Sequence, residues 1–243
     1  MKLLILAAGQ GKRLGCEQTL IPKVMRTALG KPLIQYVLEA ADFVPEKDVW
    51  VVVGFQKQVV MEAFPNLNFA CQEQRLGTGH AVMCAAEAMG ECDDDIMVIN
   101  GDMPLFRKET LRAIMEAHKQ NGAACTMVTF NAVGEIPPFG HILRDKDGFV
   151  EAIVEHKDAT EEQKLIRELN AGLYIFRGKA LFGALPKLQK SAVSGEYYLT
   201  DVPAVLALEG EKTAAFMLPD ESEVLGVNTV EDLEAVEKAL KNK

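Results

Sequence analysis

The chain has 243 residues, 49% hydrophobic and 25% charged, enough for one large domain or two small ones without cross-links. Its net charge of −9 excludes a general binder of nucleic acid or anionic membrane, which needs a broad basic face; a small anionic ligand needs only a few local cations. Five cysteines (16, 71, 84, 92 and 125) form no Cys-x-x-Cys and read as buried free thiols, and no run reaches the roughly 18–20 apolar residues of a membrane span, so a cytoplasmic protein is expected.

In chain order, "KLLILAA", "DVWVVVG", "LNFAC" and "DIMVIN" are short apolar runs closed by turn residues and predict strands. Between them "PLIQYVLEAADFV", "KQVVMEAF" and "GHAVMCAAEAMG" have helical spacing, and "KETLRAIMEAHKQNG" follows with a glycine stop. This alternation predicts parallel βαβ units with strands buried on both faces. After residue 123, "AACTMVTF", "GHILRD", "GFVEAIVE" and "GLYIF" predict further strands, some antiparallel, that extend the same sheet or stand beside it. One helix-like insert, "DATEEQKLIREL", interrupts them, and "TVEDLEAVEKALKNK" predicts a final helix with Thr229 as N-cap and Asp232 three residues on. The expected fold is a single α/β domain, a Rossmann-like open mixed, mainly parallel sheet flanked by helices. A nucleotide-binding half would span about 1–120, a sugar-binding half about 121–228, and the C-terminal helix 229–243.

The first strand runs into "ILAAGQGKRLG", which fits neither G-x-G-x-x-G, since Leu14 stands where the third glycine should be, nor G-x-x-x-x-G-K-[ST]. Ligands of open α/β sheets lie beyond the carboxyl ends of strands, where glycines let amides approach phosphates. Gly9 and Gly11 suit such a nest of N–H groups, Arg13 adds a charged fork, and Lys23 follows in "LIPKVM" behind a stiffening Pro22. In "INGDMPL" an apolar strand ends in Gly101 and Asp102, whose carboxylate is a hard ligand suited to Mg²⁺. In "CQEQRLGTGHAV" the primary amides of Gln72 and Gln74 both donate and accept, matching the imide edge of uracil. Gly77 and Gly79 would let a flat base lie on backbone, and Thr78 reads as a helix cap. Glu155 and Asn170 stand beside apolar runs, a rigid base from which to bond sugar hydroxyls, and Asn228 is an oxygen ligand or a neighbour of the N-cap. The four histidines show no zinc-ligand spacing, and no G-x-S-x-G elbow is present.

Taken as an ordered set, "LAAGQGKRL", "PKVM", "QEQRLGTGHA", "GDMPL", "GHILR", "IVEHKDAT", "LNAG", "GEYYLTD" and "GVN" resemble the sugar-phosphate nucleotidyltransferases. The resemblance runs from residue 3 to about 230 and is greatest to the uridylyltransferase domain of bifunctional enzymes that make UDP-N-acetylglucosamine. It implies the nucleotide-diphospho-sugar transferase fold and transfer of uridylyl from UTP to N-acetylglucosamine 1-phosphate, releasing pyrophosphate for amino-sugar and cell-wall synthesis. Leu6, Ala7, Ala8, Gly9, Gly11, Gln72, Gly77, Thr78 and Gly101 would then bind the nucleotide, with Gln72 rather than Gln74 reading uracil. Arg13 and Lys23 would act on its phosphates, and Asp102 and Asn228 would hold Mg²⁺. Gly140, Glu155, Asn170, Tyr198 and Thr200 would hold the sugar.

The sequence departs from the family pattern in a stretch "GCEQTLI" about three residues longer than usual and in Lys12 where a threonine is usual. No hexapeptide repeat of a left-handed β-helix follows, so no acetyl transfer is expected and no trimer can be assumed. Another sugar phosphate, or dTTP, is the neighbouring alternative; an inactive nucleotide-sugar sensor is the alternative of a different class.

Overall fold

Strand β1 (Lys2–Ala7) is apolar along its length because both of its faces are covered. In the computed structural model, which describes residues 1–146 and 148–242, Leu3, Ile5 and Ala7 enter one core cluster and Leu4 and Ala8 the other. Period-2 alternation inside an all-apolar run sends successive side chains to opposite faces. Each Leu or Ile so buried contributes about 1.5–3 kcal/mol relative to exposure.

The chain continues through a four-residue helix α1 (Cys16–Thr19) and a small hairpin of β2 (Thr27–Ala28) and β3 (Lys31–Pro32). Alternating helices and strands follow: α2 (Leu33–Ala40), β4 (Val49–Val53), α3 (Lys57–Ala63), β5 (Asn68–Cys71), α4 (Thr78–Met89), β6 (Asp95–Asn100) and α5 (Lys108–Asn121). The second half adds β7 (Cys125–Asn131), β8 (His141–Arg144), β9 (Val150–Val154), β10 (Glu168–Arg177), α6 (Gly178–Ala184), α7 (Val202–Leu208), β11 (Thr213–Met217) and α8 (Val230–Lys241). Ile34 and Val37 of α2, Val60 of α3, and Leu111 and Ile114 of α5 cover one face of the sheet; α4, α6 and α7 bring Val82, Leu181 and Leu206 to the other.

The sheet order is β11-β7-β10-β6-β1-β4-β5, with β8 and β9 branching from β10. Strands β5, β4, β1 and β6 are mutually parallel, β10 is antiparallel to both β6 and β7, and β11 is parallel to β7. After β5 the chain returns to the opposite side of β1, so β1 and β6 flank a topological switch point, where ligands of open α/β sheets bind.

Three expectations need correction. The insert "DATEEQKLIREL" is not a helix: it makes only a 3₁₀ turn over Gln163–Leu165. Thr160 and Gln163 exchange reciprocal side-chain bonds to backbone (2.9 and 3.2 Å), but Leu165 is 73% exposed and no apolar stripe remains to dock a helix. The second half also carries two helices, α6 and α7, that the polar-insert reading passed over. The final helix begins as expected, with a full capping box between Thr229 and Asp232, and runs to Lys241; Lys243, the end of the expected span, lies outside the described residues. Cys71 is exposed and Cys84 half-buried, so the free thiols are not uniformly buried. Among the described residues no helix is long and apolar enough to cross a membrane.

Candidate active-site cleft

A cleft of about 460 Å³ opens at the carboxyl ends of β1 and β6. Its floor is the exit of β1: Leu6, Ala7, Ala8 and Gly9 all line it. Gly9 is open, with nothing within 4 Å of where a Cβ would lie, so backbone there is free to meet a ligand. Gly101 stands behind the floor, its N–H donating to the Leu6 carbonyl at 2.9 Å and its missing side chain leaving room for Ile5 and Val24. Gly11 plays a different part from the one expected. It sits at φ +65, where a Cβ would lie 2.7 Å from Cys16 Sγ and 3.0 Å from Lys23 Cβ, so its bareness lets the loop wind tightly against Lys23. Arg13 lies on an exposed 3₁₀ turn (Lys12–Leu14) and is not among the residues that line the cleft.

Three side chains meet at one end of the cleft. The Lys23 ammonium pairs with Asp102 Oδ2 and donates to Asn228 Oδ1 at 3.0 Å. The backbones that carry both oxygens are held from behind. The Val227 N–H donates to the Asp102 backbone carbonyl at 3.0 Å, and the Asn228 backbone N–H donates to Asp232 Oδ2 at 2.8 Å, so the capping box of α8 also positions Asn228. A further clamp holds the approach to Asn228: buried Glu223 accepts from the Arg107 backbone and guanidinium at 2.8 and 2.7 Å. No group of three or more His, Cys, Asp or Glu side chains able to hold a metal occurs among the described residues. A metal here would therefore rest on one carboxylate, one amide oxygen and oxygens of a ligand. That donor set fits Mg²⁺, which is bound through one or two carboxylates plus substrate phosphates; a cation already bridges the two oxygens.

At the other end Gln72 is 5% exposed and lines the cleft, whereas Gln74 is exposed and does not. The Gln72 amide nitrogen donates to the Gly77 carbonyl at 2.9 Å and faces His80 Nδ1 at 3.0 Å. With the nitrogen so engaged, the amide oxygen is the group left to accept from a ligand. Gly77 and Thr78 line the cleft here, and close packing against the 197–198 segment requires glycine at 77 and 79. A Cβ at Gly77 (φ +103) would collide with the Tyr197 carbonyl, and one at Gly79 would lie 2.9 Å from Leu188 Cδ1. Thr78 is not the helix cap either: Gly77 holds the N-cap position, and Thr78 Oγ1 accepts from the Leu199 N–H at 3.0 Å.

The five expected sugar residues form a second group outside the cleft lining. The Gly140 carbonyl accepts from the Asn170 N–H at 2.8 Å, and Thr200 Oγ1 donates to Glu155 Oε1 at 2.9 Å. Strand β10 bulges between Asn170 and Tyr174 around Gly172 (φ +73), so the Asn170 amide donates to the Tyr174 hydroxyl at 2.6 Å. The Tyr198 hydroxyl turns away to Ser194 Oγ at 2.6 Å. Burial pushes the Glu155 carboxyl up, against the Thr200 hydroxyl that favours its charged form. Burial also pushes Asp201 up to about 6, with the Glu155 and Asp158 charges adding to it.

Sequence reasoning passed over Arg75 and Glu196, which line the cleft, and His80, which faces the Gln72 amide. Arg75 and His80 lie within "CQEQRLGTGHAV" beside the residues selected, but nothing in their spacing separates them from ordinary exposed side chains.

The MobA-like NTP transferase domain family matches residues 3–173. The chain is 42% identical over 242 residues to a protein named bifunctional protein GlmU from Heliobacterium modesticaldum, covering 99% of this chain and 52% of that protein. It is 38% identical over 242 residues to the bifunctional protein GlmU of Geobacillus thermodenitrificans, again 99% and 52%. The chain thus spans about half the length of the curated relatives it matches. Among solved structures, UDP-glucose pyrophosphorylase complexed with UDP-glucose superposes with a TM-score of 0.76 at 20% identity, covering 99% of this chain and 98% of that one. The apo form of a UDP-glucose pyrophosphorylase gives 0.79 at 19% identity, covering 100% and 98%. At such identities these two likenesses speak for the fold.

Proposed function

The chain belongs to the MobA-like NTP transferase family, and from that premise we propose that it transfers a uridylyl group from UTP to N-acetylglucosamine 1-phosphate. The products are UDP-N-acetylglucosamine and pyrophosphate. The observation that carries this reading is the meeting of Lys23, Asp102 and Asn228 at the switch-point cleft. The identity of 42% to a bifunctional protein GlmU across 99% of the chain supports the choice of substrates.

On this reading the base lies at the Gln72 end, where the amide oxygen accepts the uracil N3–H. The triphosphate runs over the open backbone at Gly9 towards Lys23. The sugar phosphate enters from the side of Glu155, Asn170 and Thr200, with the β10 bulge presenting the asparagine. The sugar-phosphate oxygen attacks the α-phosphorus in line and pyrophosphate leaves. The acceptor phosphate is already ionised at neutral pH and needs no general base. The chain's work is to align the two reactants and to stabilise charge that grows on the α-phosphate and the leaving group. Lys23 supplies that charge directly. Arg13 would contribute only after residues 10–15 swing over the phosphates, since it stands outside the cleft lining. Asp102 and Asn228 would hold Mg²⁺, which would supply positive charge to neutralise the phosphates.

A panel of nucleoside triphosphates against sugar 1-phosphates, read by pyrophosphate release, tests the reading. UTP with N-acetylglucosamine 1-phosphate is expected to give the highest kcat/KM. A higher value with another sugar phosphate or with dTTP would reassign the substrate. Silence from every pair would overturn the enzyme and favour a nucleotide-sugar sensor.

A further inference from the structure

We infer that Lys23 is the resident cation of the Asp102–Asn228 oxygen pair, and that its transfer to an incoming triphosphate opens the pair to a divalent cation. The inference rests on the nucleotidyltransferase reading and adds a coupling between nucleotide and metal.

Lys23 Nζ touches both oxygens at once, pairing with Asp102 Oδ2 and lying 3.0 Å from Asn228 Oδ1. The two charged side chains are 16% and 14% exposed, so water screens the pair little. A divalent cation on the same oxygens would sit within a few ångströms of the ammonium, and like charges at that separation repel strongly. One of the two must leave.

The surroundings decide which. The backbones of Asp102 and Asn228 are held by Val227 and Asp232, and their side chains are short, so their oxygens have little reach beyond the cleft end. Lys23 is held at its base, where Gly11 leaves just enough room for its Cβ, but beyond that it is a flexible stem carrying a point charge. The open floor at Gly9 lines the same cleft, so a triphosphate lying there offers the ammonium a new anionic partner. Without nucleotide, the ammonium competes with the metal; with nucleotide, the competitor is drawn off. By linkage the metal must tighten nucleotide binding by the same factor.

Mn²⁺ binding, read by the electron paramagnetic resonance of the free ion, tests this in the absence of turnover. Lys23→Met keeps the stem and removes the charge. Without nucleotide it is expected to bind Mn²⁺ more tightly than wild type, on the order of tenfold, within the usual span of coupling factors. Lys23→Gln is expected to behave alike, with the unfolding transition of each variant recorded to show that it folds. In the wild type, α,β-methylene-UTP is expected to tighten Mn²⁺ by a similar factor, and in Lys23→Met this gain is expected to shrink. Equal Mn²⁺ affinity in wild type and both variants, with Asp102→Asn still abolishing the site, would overturn the exchange and leave the metal placement standing. Mn²⁺ binding indifferent to Asp102→Asn would overturn the exchange together with the metal placement. Failure of the enzymatic reading itself would appear separately, as silence in the pyrophosphate panel.

Discussion

The Leu199 N–H donates to Thr78 Oγ1 at 3.0 Å, joining residues 121 positions apart. Around this bond the Gly79 N–H donates to the Tyr197 carbonyl at 2.8 Å and the Tyr197 N–H to the Leu76 carbonyl at 2.7 Å. The segment carrying Tyr198 and Thr200 is therefore stitched to the start of α4, beside the cleft wall formed by Gln72 and Gly77. Two groups of residues that look independent in sequence are mechanically one.

Thr78→Val keeps the shape of the side chain and leaves the Leu199 N–H without its acceptor, a loss of about 1–3 kcal/mol. Gly77→Ala forces an L residue into a positive φ against the Tyr197 carbonyl and is expected to cost a similar amount, about 1–3 kcal/mol. Urea unfolding of both variants checks this. Midpoints equal to wild type would mean that the stitch carries no stability.

Lys23→Ala removes the ammonium from the cleft while leaving the Asp102 and Asn228 backbones held as before. The expected outcome is a cooperative unfolding transition with kcat lowered on the order of 10²–10³-fold, the usual effect of losing one donor aimed at developing charge. Steady-state pyrophosphate release measures it; turnover at the wild-type rate would take Lys23 out of the chemistry.

Gln72→Leu removes a buried side-chain amide that lines the cleft. Preference for UTP over CTP is expected to fall by about 10-fold or more, because the uracil N–H loses a partner built to receive it. Competition between the two triphosphates gives the ratio, and an unchanged ratio would assign base selection to backbone contacts.

Asp201 predicts a pH dependence whose sign follows from burial. Its carboxyl moves from an ordinary 3.8 up to about 6 in the folded protein. Between those values the folded state holds more protons than the unfolded one, so stability is full below the lower value and declines as pH rises through the upper. Glu155 is also shifted upward and acts in the same sense. Asp201→Asn is expected to flatten the fall in Tm between about pH 4 and about pH 7 relative to wild type. Parallel Tm profiles for the two proteins would contradict the assignment.

The sequence by itself determined what depends on neighbours along the chain. The apolar runs of β1, β4, β5 and β6, the capping box of α8 and the glycine-ended exits after β1 and β6 follow from short-range sterics, periodicity and local hydrogen bonds. Even there it overreached at "DATEEQKLIREL", where helix-friendly residues had no apolar face to dock.

Tertiary structure decided whatever depends on which segments meet. Lys23 and Asn228 are 205 positions apart, and only the return of the chain after β11 brings the asparagine over the end of β6. Gly77 and Gly79 must be glycine because the 197–198 backbone packs against them, a requirement set by a segment far along the chain. Arg13 sits in the motif yet outside the cleft, because the loop wound on Gly11 and Cys16 turns it to solvent. A residue type announces the chemistry that it can perform. Whether it performs it depends on crossovers and close packing, which act between distant segments and leave no periodic trace in any one of them.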